Sequence, residues 1–312
     1  MKNRFYSGGK LLLTGEYLVL NGAKVLAVPL KTGQYMETED TGTGGEIHWV
    51  SFYQGNCWFD ATFSTDDFSV KSHKGLTGPD YIKNLLNSTR RLNPSFLTRG
   101  NSFRIVNTLE FSPEWGLGSS SSLISNLAGW ADVDPFELNG LASKGSGYDI
   151  ACAGSQSPIL YQLKNGIRSI EQVDFKPRFS EHLYLIWMGR KKNTSQDIDW
   201  YLQNIKPAQA DIDQINEITE SVLRCDNLSQ FRDLINEHNL LMENILNRVS
   251  VRNRYFPDFK GIIKSLGAWG GDFILAVSDE GYKNVYAYFN QKGFEVVFRW
   301  DELVKNLHIG NK

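Results

Sequence analysis

The first hundred residues carry short apolar runs separated by turn-forming residues, a pattern typical of β-strands. Apolar runs at 11–20 and 24–30 flank Asn21-Gly22, a dipeptide that favours a tight hairpin turn. Residues 46–63 form two more such runs around Gln54-Gly55. We therefore expect two β-hairpins in this part of the chain.

Other segments carry apolar residues every three to four positions, which is the period of an α-helix. This spacing predicts helices near 79–92, 121–131, 208–225, 228–248, 258–266 and 280–291. Continuous apolar runs predict strands at 103–111, 183–189, 273–278 and 294–299. This mixture of strands and helices indicates an α+β protein. Because the segment 165–182 is polar and rich in turn residues, we expect a boundary there between domains at 1–170 and 171–312.

Composition and charge exclude some classes of function. The 312 residues include 33 Lys and Arg against 35 Asp and Glu, which gives a net charge of −2. General nucleic-acid binders gain most of their affinity by neutralising phosphates, so a nearly neutral chain is a poor candidate for that class. We expect no nucleic-acid partner, while a local pocket for an anionic small molecule remains compatible with this balance.

The chain carries three widely spaced cysteines, Cys57, Cys152 and Cys225. Their number and spacing fit neither a disulfide framework nor a Cys-x-x-Cys metal site, and they are typical of a reducing compartment. The first apolar run breaks at Thr14, too early for a signal peptide, and no apolar stretch is long enough to span a membrane. We expect a cytoplasmic protein without a membrane partner.

The segment GLGSSSS at 116–122, called here the glycine-serine turn, stands between a predicted strand and a predicted helix. Glycines let a backbone approach a ligand closely, and a helix N-terminus offers unpaired N–H groups to a phosphate. Serine hydroxyls bind phosphate oxygens, ligate Mg2+ or cap a helix. The segment matches neither the Walker loop nor the GxGxxG dinucleotide fingerprint. It is therefore either a phosphate-binding turn of another kind or an ordinary helix cap.

Lys10 follows Gly8-Gly9 at the start of the first apolar run. Its ammonium could offset the charge of a transferring phosphoryl group, or could simply be solvated at a strand end. Glu16-Tyr17 interrupts the same run. Because a buried carboxylate needs a partner, Glu16 is either half of a structural ion pair or part of a site.

Two further segments combine glycines with a carboxylate. Asp149 lies in GSGYDIACA at 145–153, where a carboxylate can accept or orient a hydroxyl proton, or cap the helix that follows. The glycine-rich segment GAWGGD at 267–272 leads into a predicted strand. Such a segment either packs its backbone against a ligand or forms an ordinary turn.

The order of these segments resembles the GHMP kinase superfamily. GGKLLLTGEYLVL, PEWGLGSSSS, GSGYD and GAWGGD follow one another, and the resemblance runs from about residue 8 to about residue 298. GLGSS is the most specific of these motifs. Mevalonate kinases usually carry Glu-His where this chain has Glu16-Tyr17, so the chain is most similar to phosphomevalonate kinases.

The resemblance implies the two-domain GHMP kinase fold: an N-terminal α+β domain that binds ATP, a ferredoxin-like C-terminal α+β domain, and an active site between them. It implies that Asp149 is the catalytic base, that Lys10 assists, and that Ser120 lies near Mg2+. The residues that would bind ATP are Gly116, Leu117, Gly118, Ser119, Ser120 and Ser121. The expected substrate-binding residues are Glu16, Tyr17, Ser146, Gly147, Gly270, Gly271 and Asp272. Trp269 stands where the family usually has a small residue, which predicts a reshaped acceptor pocket.

The activity implied by the resemblance is ATP- and Mg2+-dependent phosphorylation of a small anionic molecule by a monomer or homodimer. Phosphomevalonate, in the mevalonate pathway of isoprenoid synthesis, is the first acceptor expected. The alternatives are a mevalonate kinase, another sugar or alcohol kinase of the superfamily, a relative of the diphosphomevalonate decarboxylases, and a non-catalytic nucleotide-binding protein. The presence of Lys10, Ser120 and Asp149 together disfavours the last alternative.

Overall fold

The computed structural model describes residues 2–75, 78–97, 100–189, 194–267, 269 and 271–305. The chain forms two compact units. The first unit comprises Met1–Gly9, Thr32–Pro113 and Leu117–Gly154, and the second comprises Lys10–Lys31, Glu114–Gly116 and Ser155–Lys312. The domain boundary expected at residue 170 stays a prediction, since the compact units divide the chain earlier, after Gly154.

The regular elements of the described residues come in groups along the chain: five strands precede the first α-helix, and two later groups of α-helices follow one another without a strand between them. The strands are β1 Lys2–Leu12, β2 Val25–Thr43, β3 Glu46–Tyr53, β4 Asn56–Ser64, β5 Val70–Gly75, β6 Asn101–Leu109, β7 Ile159–Lys164, β8 Ile167–Gln172, β9 Leu183–Trp187, β10 Ile262–Leu266, β11 Phe273–Val277 and β12 Val297–Arg299. The helices are α1 Asp80–Leu92, α2 Ser119–Ala131, α3 Pro135–Ala142, α4 Tyr148–Ala153, α5 Thr194–Asn204, α6 Gln209–Arg224, α7 Leu228–Leu246, α8 Val251–Tyr255, α9 Gly281–Gln291 and α10 Trp300–Leu303. Within the described part of the chain, no helix has both the length and the apolar character that a membrane crossing requires.

In the first unit, helices α1 to α4 pack on a sheet with the strand order β5-β4-β3-β6-β2. Its pairs are antiparallel except for β3 and β6, which run parallel. Trp49 and Ile105 are register partners in that parallel pair, and both are fully buried in a core with Leu85 of α1 and Leu127 of α2. The core therefore fixes α2, which follows the glycine-serine turn, by its apolar face.

In the second unit, β12-β9-β11-β10 form an antiparallel sheet. Helices α5 to α8 connect β9 with β10, and α9 connects β11 with β12. This is the strand–helix–strand–strand–helix–strand arrangement of ferredoxin-like folds. Aromatic and branched side chains of the sheet and of α8 and α9 fill its core. The expectations of an α+β class and of a ferredoxin-like C-terminal part are confirmed.

The expected hairpin at 11–30 is only partly correct. Strand β1 ends at Leu12, and the chain then passes through Gly15 and Tyr17, both with positive φ, into a short 3-10 helix at Leu18–Asn21. A Cβ at Gly15 would lie 2.5 Å from Cγ1 of Val25, so the turn requires glycine there.

Side chains then attach this turn to α6 in the same unit. Oγ1 of Thr219 donates to Oγ1 of Thr14 over 2.9 Å, and Nζ of Lys24 lies 2.6 Å from Oε1 of Glu220. These contacts explain why residues 10–31 group with the second unit rather than with the rest of the N-terminal half.

The helix predicted near 258–266 is wrong, because residues Ile262–Leu266 form β10. A short apolar run fits a buried strand as well as a helix. Four consecutive residues of β10, from 263 to 266, are buried, so the two-residue alternation of a half-exposed strand is absent. By contrast, the hairpin predicted around Gln54-Gly55 is confirmed by the pairing of β3 with β4.

Candidate functional site

The turn before α2 presents backbone N–H groups without a capping side chain. Gly118 is the N-cap residue, with a φ of 100°, and α2 begins at Ser119. Ser119 is half-buried and Ser120 is exposed, whereas Leu117 is buried. Side chains other than hydrogen rarely tolerate the conformation of Gly118. The first turn of α2 is therefore open to an anionic group such as a phosphate.

Ser121 and Ser122 are both buried. The Ser121 hydroxyl donates to the carbonyl oxygen of Gly118 over 3.1 Å. The Ser122 hydroxyl lies 2.7 Å from Oε1 of Gln34 and 2.9 Å from the same carbonyl oxygen. The Ser121 hydroxyl therefore stabilises the turn, and the contact with ATP expected of Ser121 stays a prediction.

A buried polar network then fixes α2 to two strands. Oγ of Ser7 in β1 donates to Oδ1 of Asn126 over 2.8 Å, and Nδ2 of Asn126 donates to the Gln34 carbonyl in β2 over 2.9 Å. Sequence reasoning did not identify this network. The signal for it was the polar pair Ser122 and Asn126, four residues apart on an otherwise apolar face of α2.

Asp149 lies in the first turn of α4, which packs against α2. The N-cap residue Gly147 has a φ of 88°, and Oγ of Ser146 accepts the Tyr148 N–H over 3.4 Å. Asp149 is half-buried, and its Oδ1 accepts the Ile150 N–H over 3.1 Å. Ser146 and Gly147 are buried and shape the turn that presents Asp149, and the substrate contact expected of them stays a prediction.

Tyr81 of α1 connects Asp149 with the glycine-serine turn. Its hydroxyl and that of Ser120 form a hydrogen bond. Desolvation raises the pKa of the Tyr81 phenol, although 42% of the residue is exposed. The hydrogen bond with Ser120 lowers this pKa, and the Asp149 carboxylate raises it further. Ser120, Tyr81 and Asp149 are thus neighbours in the first unit. Sequence reasoning found no separate signal for Tyr81, because its spacing fits the apolar stripe of α1.

Lys10 is half-buried in β1, two residues before the strand ends at Leu12, and it belongs to the second unit. Asp149 belongs to the first unit. The expectation that Lys10 assists Asp149 therefore stays a prediction.

Glu16 forms a buried ion pair with Lys264 of β10. Nε2 of His238 in α7 lies 3.1 Å from Oε2 of Glu16 and accepts the Gly15 N–H over 3.1 Å. Glu16 is 3% exposed, Lys264 2% and His238 0%. Of the two roles that the sequence left open for Glu16, the structure supports the structural ion pair. Almost none of the Glu16 surface is accessible, and the substrate contact expected of this residue stays a prediction.

These three groups shift one another's protonation. Burial alone would raise the pKa of Glu16, but the Lys264 ammonium and His238 outweigh it and hold that pKa below its usual value. Burial, together with the Lys264 charge, lowers the pKa of His238 against the opposing effect of Glu16. Burial also lowers the pKa of Lys264, and Glu16 opposes that shift. At neutral pH the cluster holds an ionised Glu16 beside a neutral His238.

We expect the free energy of unfolding to decrease as the pH falls from about 7.5 to about 5. His238 stays neutral in the folded chain, whereas the unfolded chain binds a proton below the ordinary histidine pKa of 6.5, so acid favours unfolding. The contribution of His238 to the free energy of unfolding is complete above the ordinary histidine pKa. Urea denaturation of the wild type and of His238→Gln, whose amide oxygen can still accept the Gly15 N–H, measures this contribution. Parallel pH profiles for the two proteins would contradict this assignment.

Tyr17 connects the turn after β1 to the glycine-rich segment 267–272. Its hydroxyl accepts the Trp269 N–H over 2.9 Å, and its ring stacks on Tyr201 of α5 at a centroid distance of 5.0 Å. Burial raises the pKa of Tyr17, so the phenol stays protonated at neutral pH. Tyr17 is 7% exposed and its hydroxyl holds the backbone of Trp269. The substrate contact expected of Tyr17 stays a prediction.

Gly116 and Asp272, two of the expected site residues, lie against each other in the second unit. Gly116 has a φ of 67°, and a Cβ there would lie 1.9 Å from Oδ2 of Asp272. A Cβ at Gly271 would lie 2.4 Å from the Phe273 carbonyl oxygen. Gly270 lies outside the described residues, so its expected substrate contact stays a prediction, as does that of Gly271 and Asp272. The beginning of the glycine-serine turn is thus packed on the end of the glycine-rich segment.

Solved structures of small-molecule kinases resemble this chain over nearly its whole length. Mevalonate kinase from Methanococcus jannaschii matches with a TM-score of 0.66 and 16% identity, over 99% of this chain and 98% of that chain. Phosphomevalonate kinase from Streptococcus pneumoniae, in complex with phosphomevalonate and AMPPNP, matches with 0.67 and 21%, over 95% and 99%. Galactokinase from Lactococcus lactis, complexed with galactose, matches with 0.63 and 13%, over 97% and 93%.

The chain has the GHMP kinase fold. No protein-family model matches the sequence, and no curated protein matches it. The resemblance noted from the motifs is therefore confirmed at the level of the GHMP kinase fold.

Within this GHMP kinase fold, the donor set for a metal ion is small. No group of three or more His, Cys, Asp or Glu side chains in the described ranges could hold a metal. Mg2+ commonly keeps several waters and binds through one or two protein oxygens together with substrate phosphates. Ser120 and Asp149, on either side of Tyr81, offer a hydroxyl and a carboxylate. This set fits a Mg2+ that is bound together with a nucleotide.

Gly116→Ala is expected to lower the free energy of unfolding by about 2–3 kcal/mol, since the methyl group meets Asp272 and the positive φ is strained. Urea denaturation measures this loss. Gly166→Ala is the matched control, because Gly166 has a φ of 77° but nothing within 4 Å of its Cβ position. The control should cost only about 1 kcal/mol. Adding Asp272→Ala to Gly116→Ala should recover part of the loss, and no recovery would contradict the contact.

Proposed function

We propose that this protein is an ATP- and Mg2+-dependent kinase that transfers the γ-phosphoryl group of ATP to a small anionic acceptor. The observation that carries the proposal is the open first turn of α2, with Ser119 and Ser120 accessible and Gly118 in the left-handed conformation. A helix N-terminus of this kind favours phosphate oxygens through its N–H groups and its dipole. The nearby Asp149 adds a carboxylate, the group that a phosphoryl transfer needs next to the phosphates to accept or orient the acceptor proton.

The roles follow from the chemistry of an in-line transfer. A bond forms between the acceptor oxygen and the γ-phosphorus while the bond to the β–γ bridging oxygen breaks, and ADP leaves. Asp149 accepts or orients the acceptor proton, and Lys10 offsets the growing negative charge. Ser120 would ligate Mg2+, and the bound ion would neutralise phosphate charge.

Phosphomevalonate is the acceptor that we propose first, which places the protein in the mevalonate pathway. The Glu16-Tyr17 pair of the sequence supports this choice over mevalonate. So does the likeness to a phosphomevalonate kinase solved with phosphomevalonate and AMPPNP. Mevalonate kinase activity is the second candidate, because mevalonate kinases have the same fold and similar TM-scores. We propose a cytoplasmic protein that acts as a monomer or homodimer.

The test is ADP release by the purified protein with ATP and Mg2+, run in parallel with 5-phosphomevalonate, mevalonate and galactose. We expect turnover with 5-phosphomevalonate, abolished when EDTA removes Mg2+. Turnover with mevalonate alone would transfer the assignment to the second candidate. Turnover with galactose alone would make the protein a sugar kinase.

Calorimetry with the non-hydrolysable analogue AMPPNP separates catalysis from binding. AMPPNP binding without turnover of any acceptor would indicate a non-catalytic nucleotide-binding protein. Absence of both binding and turnover would overturn the proposal.

A further inference from the structure

Arg248 lies on a tight turn between α7 and α8. The C-cap residue Asn247 has a φ of 48°, and the Arg248 N–H donates to the Glu243 carbonyl over 3.3 Å. Oε1 of Glu243 also accepts the Ser250 N–H over 2.6 Å. The ends of the turn are therefore fixed by hydrogen bonds to one helical residue, and the turn presents Arg248 and Val249 in a defined position.

The guanidinium of Arg248 packs on an aromatic ring rather than on a hydrogen-bond acceptor. It stacks over the ring of Trp200 in α5 at 3.3 Å from the centroid. Within the described part of the chain, it makes no hydrogen bond or ion pair. Arginine usually presents its planar fork to carboxylates or phosphates, and stacking on an aromatic ring orients that fork without using its donors. The free donors of Arg248 therefore suit an anionic ligand.

Contacts place this arginine beside the glycine-rich segment 267–272. Nε1 of Trp269 donates to the Val249 carbonyl over 3.3 Å, and the Trp269 backbone N–H donates to the Tyr17 hydroxyl over 2.9 Å. Tyr17 in turn stacks on Tyr201, the neighbour of Trp200 in α5. These contacts join four parts of the second unit in a closed circuit: Tyr17, the pair Trp200-Tyr201 of α5, the Arg248-Val249 turn, and Trp269.

Charges of both signs act on the pKa of the Tyr17 phenol. Burial raises the pKa of Tyr17 and the Trp269 N–H opposes that shift; the Asp197 carboxylate of α5 then raises the pKa and the Arg248 guanidinium lowers it. Asp197 and Arg248 do not pair with each other in the structure. Val249, next to Arg248 in the chain, is 65% exposed and offers an apolar surface. A guanidinium and an exposed methyl surface suit a ligand with an anionic group and an aliphatic carbon skeleton.

We propose that Arg248 binds an anionic group of the acceptor, a carboxylate or a phosphate, and thereby selects anionic acceptors over neutral sugars. This inference rests on the proposed function, which it deepens by assigning a specificity residue. It also gives Trp269 a role: its two N–H groups hold both Tyr17 and the Arg248-Val249 turn.

The test compares the wild type with Arg248→Gln and Arg248→Lys by calorimetry, with 5-phosphomevalonate and mevalonate as probes and no nucleotide present. Loss of a charge-assisted hydrogen bond should weaken probe binding by Arg248→Gln about 10- to 100-fold, and Arg248→Lys should recover part of it. Arg254→Gln is the matched control, because Arg254 also stacks on an aromatic ring, at 5.2 Å from Tyr255, and should bind like the wild type. In turnover assays we expect a higher KM for the acceptor and an unchanged KM for ATP.

The outcomes separate the two proposals. Weaker binding of both probes indicates that Arg248 recognises the carboxylate they share, and weaker binding of 5-phosphomevalonate alone indicates the phosphate. Binding of both probes within threefold of the wild type by Arg248→Gln overturns the inference even if the wild type turns over. Absence of turnover in a wild type that binds the probes through Arg248 overturns the proposed kinase but not this site. A wild type that binds neither probe overturns the inference.

Discussion

An Asp149→Asn variant is expected to transfer phosphoryl groups to an alcohol acceptor such as mevalonate about 10²- to 10⁴-fold more slowly than the wild type. The carboxylate can take the proton that the alcohol loses, and an amide cannot. The amide oxygen can still accept the Ile150 N–H, so α4 should keep its first turn. With 5-phosphomevalonate the accepting oxygen is already ionised, and we expect a smaller loss that reflects orientation alone. Initial rates of ADP release with both acceptors measure the difference.

Asp67→Asn is the control for this substitution. Asp67 also accepts a neighbouring backbone N–H, that of Ser69 over 2.9 Å, but it is exposed between β4 and β5. Its variant should turn over like the wild type. A rate near the wild-type value for Asp149→Asn with every acceptor would remove Asp149 from the catalytic machinery, whereas equal losses with both acceptors would assign it an orienting role only.

Local patterns in the sequence predicted the elements whose cause is local. The hairpin of β3 and β4 follows from alternating residues around Gln54-Gly55, and α7 follows from apolar residues at helical spacing. Strand β10 was misread as a helix, because its burial depends on pairing with β11 and on contacts with α7 and α8, all of which lie elsewhere in the sequence. The turn after β1 was misread because an apolar run conceals the positive φ values of Gly15 and Tyr17.

The residues of the candidate site also divide into those with a local sequence signal and those that only tertiary packing brings together. The glycine-serine turn could be recognised because glycine conformations and a helix N-terminus are properties of adjacent residues. The Glu16–Lys264 pair joins positions 248 apart in the sequence, and no local pattern links them. Arg248 likewise gains its significance only from tertiary packing, which brings Trp200 against its guanidinium and Trp269 against the adjacent Val249. Sequence reasoning could state that Glu16 needs a partner, but only the fold identifies that partner.

Lys264→Met is expected to lower the free energy of unfolding by about 3–5 kcal/mol, because it leaves the buried carboxylate of Glu16 without its cation. His238 cannot replace that cation at neutral pH, since burial lowers its pKa. Urea denaturation at neutral pH measures the loss. Lys260→Met is the matched control: the Lys260 side chain is 80% exposed and lies 3.4 Å from Glu280, so its removal should cost less than about 1 kcal/mol.

Removing both charges distinguishes a broken ion pair from lost packing. In the double variant Glu16→Gln/Lys264→Met no buried charge is left unpaired, so it should be about 1–3 kcal/mol more stable than the sum of the single losses predicts. Additive losses would mean that the two residues contribute through packing alone. Glu16 binds Lys264, and the adjacent Tyr17 binds Trp269. Lys264→Met should therefore also raise the acceptor KM, and the double variant should restore that KM in part. An acceptor KM unchanged in Lys264→Met would confine the pair to a role in stability.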